Sequence, residues 1–220
     1  MQGLRPSDFK SFFLYKIYKK MTIQFLKGYK CFVYKILLSF LNMQEIIDVC
    51  DSKGNYTGQK LPRNEIHKNK LWHRTVHVQI FDFDKRTLFQ LRSMDKESFP
   101  NKLDVSAAGH ISSGEKIITA ALRELEEELG LQLEENRLEY IDDFASEQAM
   151  PNGDVDREIQ SFFMAKITES EKLTLKIQES EVQKIVWFTG QELEQALREN
   201  ADDFAPNEEE YALILKELSF

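Results

Sequence analysis

Residues 109–131 read GHISSGEKIITAALRELEEELGL. Within them Ile118, Leu122, Leu125 and Leu129 recur at helical spacing, which predicts a helix over 116–129 with one buried stripe. Ser112 and Glu115 have capping-box spacing, and Gly130 stands where a helix C-cap belongs. On a helix turning about 100° per residue, Glu124, Glu127 and Glu128 fall at i, i+3 and i+4 and share one face, rotated away from the apolar stripe. Three like charges on one face repel each other. A divalent cation relieves that repulsion, and hard oxygen donors suit Mg²⁺ or Mn²⁺. Gly109 and Gly130 let the backbone approach closely or turn sharply at the two ends. Glutamate-rich helices are common and most charge runs are merely solvated, so the carboxylates alone decide nothing. The full spacing does: Gly-x5-Glu-x7-Arg-Glu-U-x-Glu-Glu-x-Gly-U, with U bulky and aliphatic, is met at every fixed position.

This pattern is the Nudix box, and the chain resembles the Nudix hydrolase family over residues 109–131, with a looser match in element order over about 43–220. The resemblance implies an α/β/α sandwich and hydrolysis, with Mg²⁺ or Mn²⁺, of a small molecule in which a diphosphate is linked to another moiety. Carried over residue by residue, it implies Glu124, Glu127 and Glu128 as metal ligands, with the Gly109 carbonyl as a further oxygen. Glu115 and Arg123 pair to hold the loop against the helix, unless Glu115 is only a cap residue. Many members use a further glutamate from a later loop as ligand or base. Here Glu179 and Glu181 are the candidates, with Glu181 preferred, and either could equally be a solvated loop charge. The chemistry is metal-assisted attack of water on phosphorus, with a positioned glutamate as proton acceptor.

All four histidines, His67, His73, His77 and His110, lie near this region in sequence, and each alone reads more readily as structural than as a ligand. Together with Leu103–His110 they resemble the Nudix subgroup related to isopentenyl-diphosphate isomerase. In that isomerase comparable histidines bind a metal, and a cysteine just before the Gly-His pair does proton-transfer chemistry. The matching position here is Ala108, and the carboxylate set is intact, which favours hydrolysis. In an isomerase reading a box glutamate or Tyr140 would have to supply the proton, and His67, His73 and His110 would hold a second metal. A catalytically silent ligand-sensing module is the remaining alternative, and such modules commonly lose box glutamates.

Outward from the box, Ile46–Val49 and the turn cluster 51–55 suggest a first hairpin. Strands are expected at 72–83, 87–91, 103–108, 138–146, 158–167 and 182–189, and helices at 190–199 and 207–218. Strands, one helix, more strands and two helices make an α/β sandwich with a mixed sheet. The loop 150–154 separates two of the strands. Trp72, Phe99 and Phe144 are aromatic residues that a base could stack on, although such residues are usually core.

The chain has 220 residues, 30% of them charged, with a formal net charge of −8. That balance argues against a nucleic-acid polymer as partner, since a general coat needs a basic surface. Two cysteines, Cys31 and Cys50, build neither a disulfide framework nor a Cys-rich metal site and suit a reducing cytoplasm. Residues 1–42 carry eight basic residues and a single acid, Asp8. Lysines interrupt every apolar run there, which excludes a stable membrane span and leaves an amphipathic surface helix or a start assigned too early. We read 1–42 as lying outside the fold, with Met43 as the true start of a domain over 43–220. A homodimer is left open.

Overall fold

The computed structural model describes residues 45–96, 98–150 and 155–219. The basic extension 1–42, the start at Met43 and residues 151–154 of the expected loop lie outside the described residues.

Strands β1 (Ile46–Cys50) and β2 (Tyr56–Pro62) form the expected antiparallel hairpin. Its turn is fixed by the Asp51 carboxylate, which accepts from the backbone N–H of Lys53 and of Asn55, both at 2.9 Å. A short helix follows, α1 (Arg63–Lys68), which helical periodicity cannot reveal over six residues. Strand β3 (His73–Asp82) is the centre of the sheet. One edge pairs in parallel with β8 (Val155–Ile167) along the whole of β3. The other edge pairs antiparallel with β6 (Ala107–His110) and, further along, with β4 (Arg86–Arg92). Strand β4 in turn carries β5 (Leu103–Asp104) and β9 (Val182–Thr189), and β8 carries β7 (Glu139–Ala149). The sheet is therefore mixed.

Period-two alternation on β3 sends side chains into two separate cores. Val76, Val78 and Ile80 pack against Ala120, Ala121, Leu125 and Leu129 of α2 (Ile117–Leu129). On the opposite face Phe81 joins Phe89 and Phe162 beneath α4 (Gly190–Glu199) and α5 (Glu208–Leu218), which contribute Leu193, Tyr211 and Ile214. The short α3 (Glu169–Lys172) lies between β8 and β9 and starts with a Thr168/Glu171 capping box. Helices on both faces of a mixed sheet give the expected α/β/α sandwich. Among the described residues no helix is long and apolar enough to cross a membrane.

One local expectation is corrected. Ser112 is not the N-cap of the box helix: that position belongs to Lys116, with no side-chain cap. The Ser112 N–H still donates to Glu115 at 3.1 Å, but Glu115 lies before the helix and its carboxylate is held by Arg123. Gly130 does cap the C-terminus, in the left-handed region at φ 65°.

Candidate active site

The loop between β6 and α2 is tied down from two sides. Gly114 adopts φ +78° with open space around it, so glycine is required there for conformation. That bend presents the Gly114 N–H to Asp48 of β1 at 2.9 Å, beside a Ser113 hydroxyl bond to the same carboxylate at 2.8 Å. On the helix side, Arg123 donates two bonds of 3.0 Å to the Glu115 carboxylate and one of 2.9 Å to the His110 carbonyl. The expected Glu115–Arg123 pair is thus present and clamps the loop onto α2. The same guanidinium reaches Glu124 at 2.5 Å and Glu127 at 3.2 Å. These partners push the Arg123 pKa up in spite of its burial.

Glu124, Glu127 and Glu128 share one face of α2, and that face is only partly open to water. Glu124 and Glu128 are buried and Glu127 is exposed. All three line a polar cavity of about 250 Å³, along with Gly109, Ala108, Lys96 and Glu181. Gly109 is there for space: a Cβ at this position would lie 2.2 Å from the Glu124 carboxyl carbon. Glu128 accepts from the Gln90 amide at 3.0 Å and the Ala108 N–H at 3.1 Å. Burial pushes the Glu124 pKa up to about 7, with Arg123 opposing. Burial likewise pushes Glu128 up to about 8, opposed by Lys96 and reinforced by Glu124. Two crowded, buried carboxyls that resist ionisation form a hard-oxygen donor set, and a divalent cation would compensate their charge. These residues fit Mg²⁺ or Mn²⁺.

Of the two later-loop glutamates, Glu181 lines the cavity and pairs with Lys96, whereas Glu179 is exposed and is not among the lining residues. Of the three aromatic candidates only Phe99 reaches the cavity. Phe144 packs edge-on against Phe162 in the core. Tyr140 lies on an outer groove with Ile117 and Ile118, away from the cavity, so it is no proton source for the site.

The structure also gathers three of the histidines. His67 from α1, His73 from the start of β3 and His110 from the end of β6 have ring centroids 5.1–5.3 Å apart. Asp156 stands 3.8 Å from His67 and 3.9 Å from His73, and Glu158 is 3.9 Å from His73. Two buried atoms of this centre, His73 Nε2 and Asp156 Oδ1, have no hydrogen-bond partner among the described residues. Burial lowers the pKa of all three imidazoles, which favours the neutral, ligating form. The His110, Asp156 and Glu158 side of this centre lines the same cavity as the box glutamates. Asp156 and Glu158 escaped the sequence reading. Their only signal is two carboxylates at i and i+2 on one strand face. The fourth histidine, His77, is separate and pairs with Glu210 of α5 at 3.0 Å.

Comparison with known proteins gives the family and the fold. The family model for the NUDIX domain matches residues 71–207. The chain is 35% identical over 166 residues to Nudix hydrolase 3 of Arabidopsis thaliana, covering 74% of this chain and 22% of that protein. It is 32% identical over 122 residues to an isopentenyl-diphosphate Delta-isomerase of Rhizobium rhizogenes, covering 55% of this chain and 57% of that one. The chain spans between 22% and 47% of the length of the first curated relatives it matches. Among solved structures, DR0079 of Deinococcus radiodurans superposes with a TM-score of 0.58 at 21% identity, over 78% of this chain and 98% of that one, which supports the fold.

Proposed function

The chain belongs to the Nudix family, and on that footing we propose that it is a divalent-metal-dependent hydrolase. It cleaves the diphosphate linkage of a nucleoside-diphosphate-type or related organic diphosphate by attack of water at phosphorus. The observation that carries this reading is the complete carboxylate face of α2, turned into a polar cavity and locked by the Glu115–Arg123 clamp. A ligand-sensing module has no need of that full set.

In this reading Glu124, Glu127, Glu128 and the Gly109 carbonyl hold the metal. Bound there, the cation neutralises diphosphate oxygens and lowers the pKa of a water molecule. Arg123 fixes the carboxylates relative to the loop, so the ligand set is assembled before substrate arrives. Glu127 and Glu181, with side chains 40% and 35% exposed, are the carboxylates able to pass a proton to solvent. One of them accepts the proton of the attacking water. Lys96 pairs with Glu181 at the cavity. The new O–P bond forms as the bridging P–O bond breaks, releasing phosphate or a phosphomonoester.

A second reading, isomerisation of isopentenyl diphosphate, is favoured by the histidine–carboxylate centre, where a second metal could sit. It is disfavoured by Ala108, which places a methyl group where that isomerase carries its thiol. A single experiment separates the two. The full chain is incubated with Mg²⁺ or Mn²⁺ and a panel of nucleoside, sugar and isoprenoid diphosphates, in H₂¹⁸O and in D₂O. We expect ¹⁸O on phosphorus and no deuterium on carbon. Deuterium exchange into isopentenyl diphosphate without phosphate release would reverse the choice.

A further inference from the structure

His77 occupies a core position on β3 that an apolar residue could fill. Its neighbours across the sheet are Ala108 on β6 and Phe162 on β8. Instead it forms a buried pair with Glu210 from the first turn of α5, Nδ1 to carboxylate, at 3.0 Å. The second Glu210 oxygen is buried with no hydrogen-bond partner among the described residues. Buried ion pairs are often no more stabilising than apolar packing, because desolvation offsets the attraction. A pair left half-satisfied in a core points to a role other than holding β3 to α5.

The position of the ring suggests that role. His77 lines the cavity, next to Ala108 of β6 in the sheet, and shares that lining with Glu158 of the histidine–carboxylate centre. Nδ1 is committed to Glu210, so Nε2 is the ring nitrogen available to a ligand. The cavity is rich in carboxylates, and a diphosphate needs positive partners within it. Arg63, Arg92, Lys96 and Arg123 line it as well; of these Arg123 is bonded to Glu115, Glu124 and Glu127, Lys96 to Glu181, and Arg92 to Asp104 and Ser98. We propose that His77 is an anion-binding residue of this cavity, donating its Nε2–H to an oxygen of the phosphoryl group that is not under attack, with Glu210 as its positioning residue. This rests on the hydrolase reading only in that the ligand is a diphosphate. The charge state agrees: burial opposes the imidazolium, but Glu210, with Asp104 and Glu158, outweighs it and pushes the pKa up to about 9. The ring is therefore charged at neutral pH, and a charge-assisted bond to phosphate is among the stronger hydrogen bonds.

The test uses the full chain, Mg²⁺ and methylenediphosphonate, a diphosphate analogue whose P–C–P bridge cannot be hydrolysed. With only four histidines in the sequence, ¹⁵N-histidine labelling gives a readable spectrum, and His77→Gln assigns the ring. We expect a doubly protonated His77 at pH 7.5 whose Nε2–H resonance moves when the probe is added. By calorimetry, His77→Gln should weaken probe binding about tenfold or more, and Glu210→Gln should weaken it less. A resonance that stays fixed while the probe binds overturns the proposal, as does His77→Gln binding within twofold of wild type. If His77→Gln does not fold, Glu210→Gln, which changes the hydrogen-bond partner of this ring, assigns it and the wild-type resonance decides. Probe binding through His77 with no turnover on any diphosphate would leave this assignment standing and remove the hydrolase reading.

Discussion

Gly109 and Glu124 share one packing volume: a Cβ added to the glycine would stand 2.2 Å from the carboxyl carbon of the glutamate. The β6 backbone therefore sets where this carboxylate can be.

From that contact we expect Gly109→Ala to fold but to displace Glu124 by an ångström or more. Activity should fall about 10²-fold, the scale of such a misplacement at a reacting centre. Turnover assays on the substrate found by the panel, together with Mn²⁺ titration, check this. Activity within threefold of wild type would mean that Glu124 is not a ligand.

Glu127→Gln and Glu128→Gln should each lower kcat by at least about 10²-fold while the fold survives. In metal-free buffer Glu128→Gln should melt no lower than wild type, because the substitution removes a buried carboxyl that burial already disfavours in its charged form. Mg²⁺ at a hundred times its Kd should raise the wild-type Tm by roughly 5–10 °C. That gain should vanish in Glu128→Gln, and differential scanning calorimetry reads both effects.

The clamp makes a stability statement. Glu115 accepts two bonds from Arg123 and one from the Ser112 N–H, so Glu115→Gln leaves partly buried donors short of an acceptor. We expect a loss of about 1–3 kcal/mol, or roughly 3–8 °C in Tm. An unchanged Tm in chemical or thermal melts would show that the loop is held by Asp48 alone.

The His77–Glu210 pair makes stability depend on pH. The folded imidazole titrates at about 9 against an ordinary 6.5, so its contribution is complete below pH 6.5 and is lost as pH rises through 9. Glu210→Gln removes the partner that raises it. The Tm gap between wild type and Glu210→Gln should therefore be widest near pH 6 and close by pH 10. A gap that does not vary with pH would assign the pair a purely steric role.

The box helix and its glycine cap were legible because they depend on neighbours within about ten residues, where helical geometry fixes who meets whom, whereas the Glu115–Arg123 pair was implied by the family resemblance, since Glu115 lies before the helix. The central strands were legible from their β-branched and aromatic content. What brings His67, His73 and His110 together is different. The parallel pairing of β3 with β8 and the antiparallel pairing of β3 with β6 set that register, and no local pattern encodes it. Asp156 and Glu158 enter the same centre only through the register that places Glu158 beside His73. Tyr140 illustrates the converse: a register shift between Tyr140 and Asp142 on β7 breaks the alternation that would align it with Ser146 and Gln148 of the cavity, and it lies in the outer groove instead.

The tether from Gly114 to Asp48 reaches into a hairpin that precedes the stretch matched by the family model, residues 71–207. His67 precedes it too. The portable unit, in the sense of what must be cut and moved together to transplant the site, therefore begins at the first strand, near residue 45. A fragment trimmed to the matched boundaries would keep every box glutamate and lose the post to which their loop is moored.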